Sequence, residues 1–186
     1  MPRPSGLTIA LAGGPGSGKT TVARALADRL GGHVVGFGDF VRLLASQAGE
    51  GTKRPDLQRL GQDRVEQDTE DFVRAFLAWA APPMRRPLVI EGVRHEAVDR
   101  ALRAWASSED RDYALILIDT SAEERAARRT NGNLAGIRAI DGHLVERETA
   151  QSLPRVADAV VNGSGSGEEV LARVVAALGD RWPAGV

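Results

Sequence analysis

Residues 13–20 read Gly-Gly-Pro-Gly-Ser-Gly-Lys-Thr, and they are the most informative eight residues of the chain. It fits the pattern G-x-x-x-x-G-K-[ST], in which glycines let the backbone curl so that successive N–H groups converge on one anion. The pattern therefore predicts a loop that binds phosphate. The alternative is an incidental glycine-rich turn, and the neighbouring sequence decides between the two.

The flanks of this loop have the required form. Residues 7–12 (LTIALA) are a short apolar run with β-branched content, which predicts a buried strand. Residues 20–30 carry Val22, Leu26 and Leu30 at helical spacing. A strand before the loop and a helix after it predict a nucleotide site for ATP with Mg²⁺. The residues expected to contact ATP are Gly13, Gly14, Gly16, Ser17, Gly18, Lys19, Thr20 and Thr21.

Strand-like and helical segments alternate along the rest of the chain. Further strands are predicted at 33–37, 87–91, 113–119 and 159–162. Helices are predicted at 39–48, 56–81 with a break near Gly61, 95–107, 121–129, 139–152 and 168–178. Apolar strands alternating with helices indicate a parallel sheet covered on both faces. We therefore predict an α/β chain with a three-layer α/β/α P-loop NTPase fold and a five-stranded parallel sheet. It forms a single domain over 1–186, with substrate-binding helices at about 39–81 and a short lid at about 125–147.

The composition narrows the function. The 186 residues contain no cysteine, which excludes disulfides, thiolate zinc sites and cysteine nucleophiles. The net charge of −1 provides no basic field for nucleic acid, and no apolar run could cross a bilayer, so we expect a cytoplasmic protein. Among 24 basic residues only Lys19 and Lys53 are lysines. Either this is chance, or position 19 requires a compact ammonium rather than a guanidinium.

Charged side chains follow three of the predicted strands, at the sheet edge where α/β proteins bind ligands. Gly38-Asp-Phe-Val-Arg42 follows the second strand, and the third ends in Glu91-Gly-Val-Arg94. Beyond the fourth strand, one helix carries Arg125, Arg128 and Arg129.

These motifs resemble the nucleoside monophosphate kinase superfamily, including adenylate kinases and dephospho-CoA kinases. GDFVR at 38–42 is similar to the adenylate kinase segment whose arginine holds the acceptor phosphate, and VIEGVR at 89–94 resembles their D-G-x-x-R with Glu in place of Asp. The segment 118–129 is similar to the one that delivers lid arginines. The segment 157–170 resembles the closing loop beside adenine in dephospho-CoA kinases.

The resemblance implies a role for each of these residues. Arg42 and Arg94 would hold an acceptor phosphate, Asp39 would orient or deprotonate the acceptor, and Glu91 would hold an Mg²⁺-bound water beside the hydroxyl of Thr20. Lys19, Arg128 and Arg129 would stabilise the transferring phosphoryl group. The second lid arginine of the family falls on Gly132, so Arg129 or Arg138 would replace it.

Structural alternatives stay open for these residues. Asp39 could serve only as a helix N-cap, and Arg42 and Arg94 could be surface ion-pairing residues. For Arg125 we favour a solvated helix face paired with neighbouring glutamates. His33, His95 and His143 lack metal-ligand spacing and are interpreted as structural or solvent-facing.

The foremost prediction is an ATP-dependent kinase whose acceptor is a nucleoside or deoxynucleoside monophosphate. One alternative is a kinase of a hydroxyl group, similar to dephospho-CoA kinase. Another is a P-loop ATPase switch with a macromolecular partner, although no guanine motif Asn-Lys-x-Asp is present. We expect a small phosphorylated substrate, no membrane or nucleic-acid partner, and a monomer or homodimer.

Overall fold

The structure is a computed structural model that describes residues 6–51, 53–82, 86–129, 135–137 and 144–179, with the backbone alone for 144–149. Its strands are β1 (Gly6–Ala12), β2 (His33–Gly36), β3 (Leu88–Val93), β4 (Arg111–Asp119) and β5 (Ala159–Asn162). Its helices are α1 (Lys19–Leu30), α2 (Phe37–Ala48), α3 (Arg54–Gln67), α4 (Thr69–Ala80), α5 (Glu96–Ser108), α6 (Ala122–Arg129), α7 (Leu144–Val156) and α8 (Gly167–Leu178). Each predicted strand is confirmed within two residues at either end.

The five strands form one parallel sheet in the order β2-β3-β1-β4-β5. The central strand β1 ends at Ala12, which lies beside Val93 of β3 and Leu117 of β4. The carboxyl ends of these three strands therefore share one edge of the sheet, and the segments that follow them are brought together there.

Apolar side chains fill both faces of the sheet, which confirms the three-layer arrangement. Helices α1 and α8 pack on one face through buried residues that include Val22, Leu26, Val170 and Val174. Helices α2, α3, α4 and α5 cover the other face, together with Leu153 of α7. Within the described ranges, no helix has the length and apolarity needed to cross a bilayer.

The predicted break near Gly61 is wrong: the long helical region divides at Asp68. Gly61 continues α3, and a Cβ there would make an ordinary van der Waals contact, 3.5 Å from the nearest Val41 methyl carbon. Asp68 has extended backbone angles, and its carboxylate accepts the amide N–H of Asp71 at 2.8 Å, capping α4. The helix boundary is therefore set by the side-chain cap at Asp68 and not by the glycine at position 61.

The N-cap interpretation of Asp39 is also wrong. Helix α2 begins at Phe37 with Gly36 as its N-cap, so Asp39 is the third residue of the first turn. A carboxylate there still lies near the positive end of the helix dipole. Its side chain accepts a hydrogen bond from Arg42, one turn further along α2.

Candidate active site

The phosphate loop joins β1 directly to α1, and its glycines occupy positions that a side chain would block. Gly16 and Gly18 have φ values of 87° and 93°. A Cβ on Gly16 would lie 2.9 Å from the carbonyl oxygen of Arg125, and one on Gly13 would collide with the carbonyl oxygen of Ile118. Only glycine lets the loop sit this close to β4 and α6.

The ammonium of Lys19 lies over this loop. Its Nζ donates to the carbonyl oxygens of Gly13 and Gly14 at 2.6 and 2.8 Å, and Ser17 Oγ lies 3.4 Å away. The lysine is the first residue of α1, so its charge adds to the positive end of the helix. Loop and lysine together form a cationic cup suited to nucleotide phosphates.

Arg125 supports the loop from beneath, and the prediction that it lies on a solvated helix face is wrong. It is only 8% exposed. Its Nε donates to the carbonyl of Thr120 at 3.1 Å and its Nη1 to the carbonyl of Pro15 at 3.5 Å. Arg125 lies shortly after the end of β4, so its position reveals this contact only once β4 is known to lie beside β1.

Arg128 connects the phosphate loop to the segment after β5. Its Nη1 lies 3.4 Å from the carbonyl of Ser17, while its Nη2 donates to the carbonyls of Gly163 and Gly165, each at 2.9 Å. Arg129, at the end of α6, lines the cavity that adjoins the phosphate loop. The other candidate for the second lid arginine, Arg138, lies outside the described residues.

Two carboxylates meet at the ends of β2 and β3. A Cβ placed on Gly36 would lie 3.2 Å from Glu91 Oε1 and 3.5 Å from Asp39 Oδ2, so both acids flank the same glycine. Asp39 also accepts a hydrogen bond from Arg42 Nη2 at 2.5 Å, and both side chains are more than half exposed. Three of the four charged residues predicted at the ends of β2 and β3 are thus brought together.

A cavity of about 1120 Å³ connects these groups. Its lining includes Lys19 and Thr20 together with Arg42, Glu91 and Arg94. The structure therefore places residues of both the phosphate loop and the strand ends around one cavity, although Gly13, Gly14, Ser17 and Asp39 are not among its lining residues.

His95 lines the same cavity and is 6% exposed, so the solvent-facing alternative is wrong for this histidine. It caps α5, and its carbonyl accepts the amide N–H of Asp99 at 3.1 Å. Sequence reasoning also missed Arg54, Gln58 and Gln62, three cavity residues of α3. Their i, i+4, i+8 spacing was the available signal.

The donor atoms at the site fit Mg²⁺. The Thr20 hydroxyl and the Glu91 carboxylate are hard oxygen ligands in one cavity. No cluster of three or more His, Asp or Glu ligands occurs among the described residues. Mg²⁺ usually takes one or two protein oxygens and completes its shell with water and nucleotide phosphates.

Three solved structures share this fold. A gluconokinase from Sinorhizobium meliloti 1021 has a TM-score of 0.60 and 19% identity, over 95% of this chain and 93% of its own. The shikimate kinase of Aquifex aeolicus has a TM-score of 0.56 and 20% identity, over 92% and 96%. The APS kinase of Mycobacterium tuberculosis, in complex with AMPPNP and APS, has a TM-score of 0.59 and 21% identity, over 95% and 99%.

Among the sequence comparisons, the match to a family model supports the same fold. No curated protein sequence matches the chain significantly. A family model described as an AAA domain matches residues 12–139, from the end of β1 through the phosphate loop and past α6. The protein has a P-loop kinase-like fold, and the chain belongs to the AAA domain family.

Proposed function

We propose that this protein is an ATP-dependent phosphotransferase whose acceptor is a small nucleotide-like molecule, foremost a nucleoside or deoxynucleoside monophosphate. One observation carries the proposal: Lys19 of the phosphate loop and the guanidinium groups of Arg42 and Arg94 line the same cavity. A cation on the donor side and two forked cations on the acceptor side suit two phosphate-bearing substrates bound face to face.

Phosphoryl transfer asks for alignment and charge neutralisation more than for covalent chemistry. In the proposed reaction an acceptor phosphate oxygen attacks the γ-phosphorus of ATP, and the bond from that phosphorus to the bridging oxygen breaks to release ADP. Lys19 would hold the β- and γ-phosphates, while Arg42 and Arg94 would fix the attacking phosphate. Arg128 and Arg129 would neutralise the equatorial oxygens as the site closes.

Mg²⁺, held near Thr20 and Glu91, would supply charge neutralisation for the phosphate oxygens. A phosphate acceptor needs no general base, because its oxygens are already anionic. This agrees with an Asp39 carboxylate that is engaged by Arg42. A hydroxyl acceptor, the second candidate, would require the Asp39–Arg42 pair to open so that Asp39 could take the hydroxyl proton.

The test is an ADP-release assay with purified protein, Mg·ATP and a panel of ribo- and deoxyribonucleoside monophosphates, with dephospho-CoA as the hydroxyl acceptor. We expect at least one monophosphate to accelerate ADP release and to yield the corresponding diphosphate by mass spectrometry. Turnover of dephospho-CoA alone would replace the proposed acceptor class with the hydroxyl class.

A third candidate function is an ATPase that uses Glu91 to activate water. The family description and the position of this acid at the end of β3 favour it. Hydrolysis in the absence of any acceptor distinguishes it. A kinase should hydrolyse ATP slowly until the acceptor binds. Fast basal hydrolysis that no small acceptor stimulates would contradict the kinase proposal.

A further inference from the structure

Helix α3 presents two parallel rows of side chains to the acceptor half of the cavity. Members of each row are four residues apart, so they stand on successive turns of the same helix face. The polar row is Arg54, Gln58 and Gln62, and the apolar row beside it is Leu57, Gly61 and Val65. All six line the cavity, although none belongs to the phosphate loop or to the strand ends.

The amide of Gln62 has a defined orientation. One of its terminal atoms lies 2.6 Å from Oε1 of Glu66, one turn further along α3. A carboxylate oxygen only accepts hydrogen bonds, so the atom facing Glu66 must be the NH₂ nitrogen. Gln62 therefore turns its carbonyl oxygen, Oε1, away from Glu66.

That carbonyl oxygen is buried and accepts no hydrogen bond from any residue that the structure describes. A buried acceptor left unsatisfied is costly for a folded protein, and native structures keep few of them. Gln62 lines the cavity, so a small rotation of its amide would bring this inaccessible oxygen to the cavity surface, where an acceptor molecule can supply the missing donor.

The walls near α3 are apolar and partly aromatic. Val41, Val65, Phe72 and Val98 line the cavity together with Phe37. The Phe37 ring stacks on Phe76 at 3.9 Å and on Phe72 at 5.6 Å between ring centroids, which holds this wall in one arrangement. Apolar walls with one oriented polar atom suit a planar heterocycle whose edge carries a hydrogen-bond donor.

We propose that Gln62 is a specificity-determining residue that accepts a hydrogen bond from an exocyclic amino group of the acceptor's nucleobase. The proposal rests on the proposed function, since it assumes a nucleoside monophosphate in the acceptor half of the cavity. A keto oxygen at the same place would face the Gln62 oxygen and be repelled. The enzyme should therefore select an amino-bearing base over its keto counterpart.

The experiment compares two matched pairs of acceptors, AMP with IMP and CMP with UMP, at saturating Mg·ATP. In the wild-type protein we expect kcat/KM for the amino member of the preferred pair to exceed that for the keto member by about tenfold or more. Gln62→Met keeps the length of the side chain and removes the acceptor oxygen, so the ratio should fall at least about fivefold. The KM for ATP should stay within about twofold in this variant.

Two further variants separate recognition from a general effect on α3. Glu66→Ala releases the amide to rotate, which should lower the ratio while both acceptors are still phosphorylated. Gln67→Met changes an exposed glutamine at the end of the same helix and should leave the ratio unchanged. Circular dichroism and thermal melting of each variant check that the fold is retained.

The possible outcomes are distinct. If the wild-type protein phosphorylates these acceptors without preference, or prefers the keto members, the assignment of Gln62 is wrong while the kinase proposal stands. An unchanged ratio in Gln62→Met would overturn the assignment in the same way. If no nucleoside monophosphate is phosphorylated at all, the proposed function fails, and this inference fails with it.

Discussion

The proposed donor and acceptor halves of the cavity are built differently. On the donor side the backbone forms the site: glycines at 13, 16 and 18 have positive φ values, and Lys19 and Arg125 both donate to loop carbonyls. On the acceptor side the polar groups sit at the ends of side chains on α2, α3 and the turn after β3. Asp39 and Arg42, for example, are 58% and 57% exposed.

This difference separates what is fixed from what can vary. A backbone cup recognises phosphate, which every nucleotide carries, and a side chain added to its glycines would strain or block it. A pocket made of side-chain ends can change its acceptor by substitution without disturbing the fold. Donor-side changes should therefore abolish turnover, whereas acceptor-side changes should alter KM or selectivity.

The largest effect is expected for Lys19→Ala. Removing the ammonium deprives the β- and γ-phosphates of their neutralising charge, so kcat should fall by on the order of 10³-fold in the ADP-release assay. Lys53→Ala is the matched control, because it removes the only other lysine, an exposed residue next to α3, and should leave kcat unchanged. Near-normal activity of Lys19→Ala would refute the donor site.

Arg128→Ala should have the next largest effect. The guanidinium spans Ser17 and the carbonyls of Gly163 and Gly165, so it stands between the phosphate loop and the segment after β5. If it contacts the transferring phosphoryl group only when the site closes, kcat should fall about 10²-fold while the acceptor KM stays within about twofold. A rise in the KM for ATP with unchanged kcat would assign Arg128 to ground-state nucleotide binding instead.

Arg94→Ala should act on the acceptor alone. Losing one forked cation should raise the acceptor KM by about tenfold, with the KM for ATP within about twofold. Arg24→Ala is the control, since Arg24 is an exposed arginine on α1, and its kinetics should match the wild type. Equal changes in both KM values would contradict the division of the cavity into two halves.

Most of the donor half could be predicted from the sequence, because the patterns that identify it constrain the backbone. A glycine pattern between a strand and a helix has few physical solutions, and the order of apolar runs leads directly to the parallel sheet. The structure places the phosphate loop after β1, as predicted, and three of the predicted charged residues at the ends of β2 and β3, Arg42, Glu91 and Arg94, line its cavity.

The rest depended on packing that spacing alone does not reveal. Arg125 is buried because β4 lies directly beside β1, which is a matter of strand order. Gly61 continues α3, whereas Asp68 separates α3 from α4 because its carboxylate caps α4. The polar row of α3, Arg54, Gln58 and Gln62, was missed for a similar reason. The sequence shows the period of a helix, but it does not show which part of the protein the polar face of that helix contacts.

The smallest expected effect concerns the first turn of α5, the helix that begins immediately after Arg94 and His95. The Tyr113 hydroxyl donates to Asp99 Oδ1 at 2.8 Å, and Asp99 also accepts from Arg103 Nε at 2.8 Å. Burial, followed by the negative charge of Asp99, raises the pKa of Tyr113 well above its usual value. Folding therefore retains a phenol proton that the unfolded chain loses near pH ~10.

The stabilisation from this proton is fully present below pH ~10 and is lost as the pH rises towards the folded-state pKa. Tyr113→Phe should cost about 1 kcal/mol of unfolding free energy at pH 7, because one buried hydrogen bond is removed. Above pH ~10 the variant should lose less stability per pH unit than the wild type. Urea unfolding at neutral and alkaline pH measures both, and since Tyr113 is the chain's only tyrosine, tyrosinate absorbance follows this one group. If the unfolding free energies of the two proteins changed with pH in parallel, the stability of α5 would not depend on the phenol. If Tyr113→Phe raised the acceptor KM at pH 7, the acceptor half of the site would extend to the first turn of that helix.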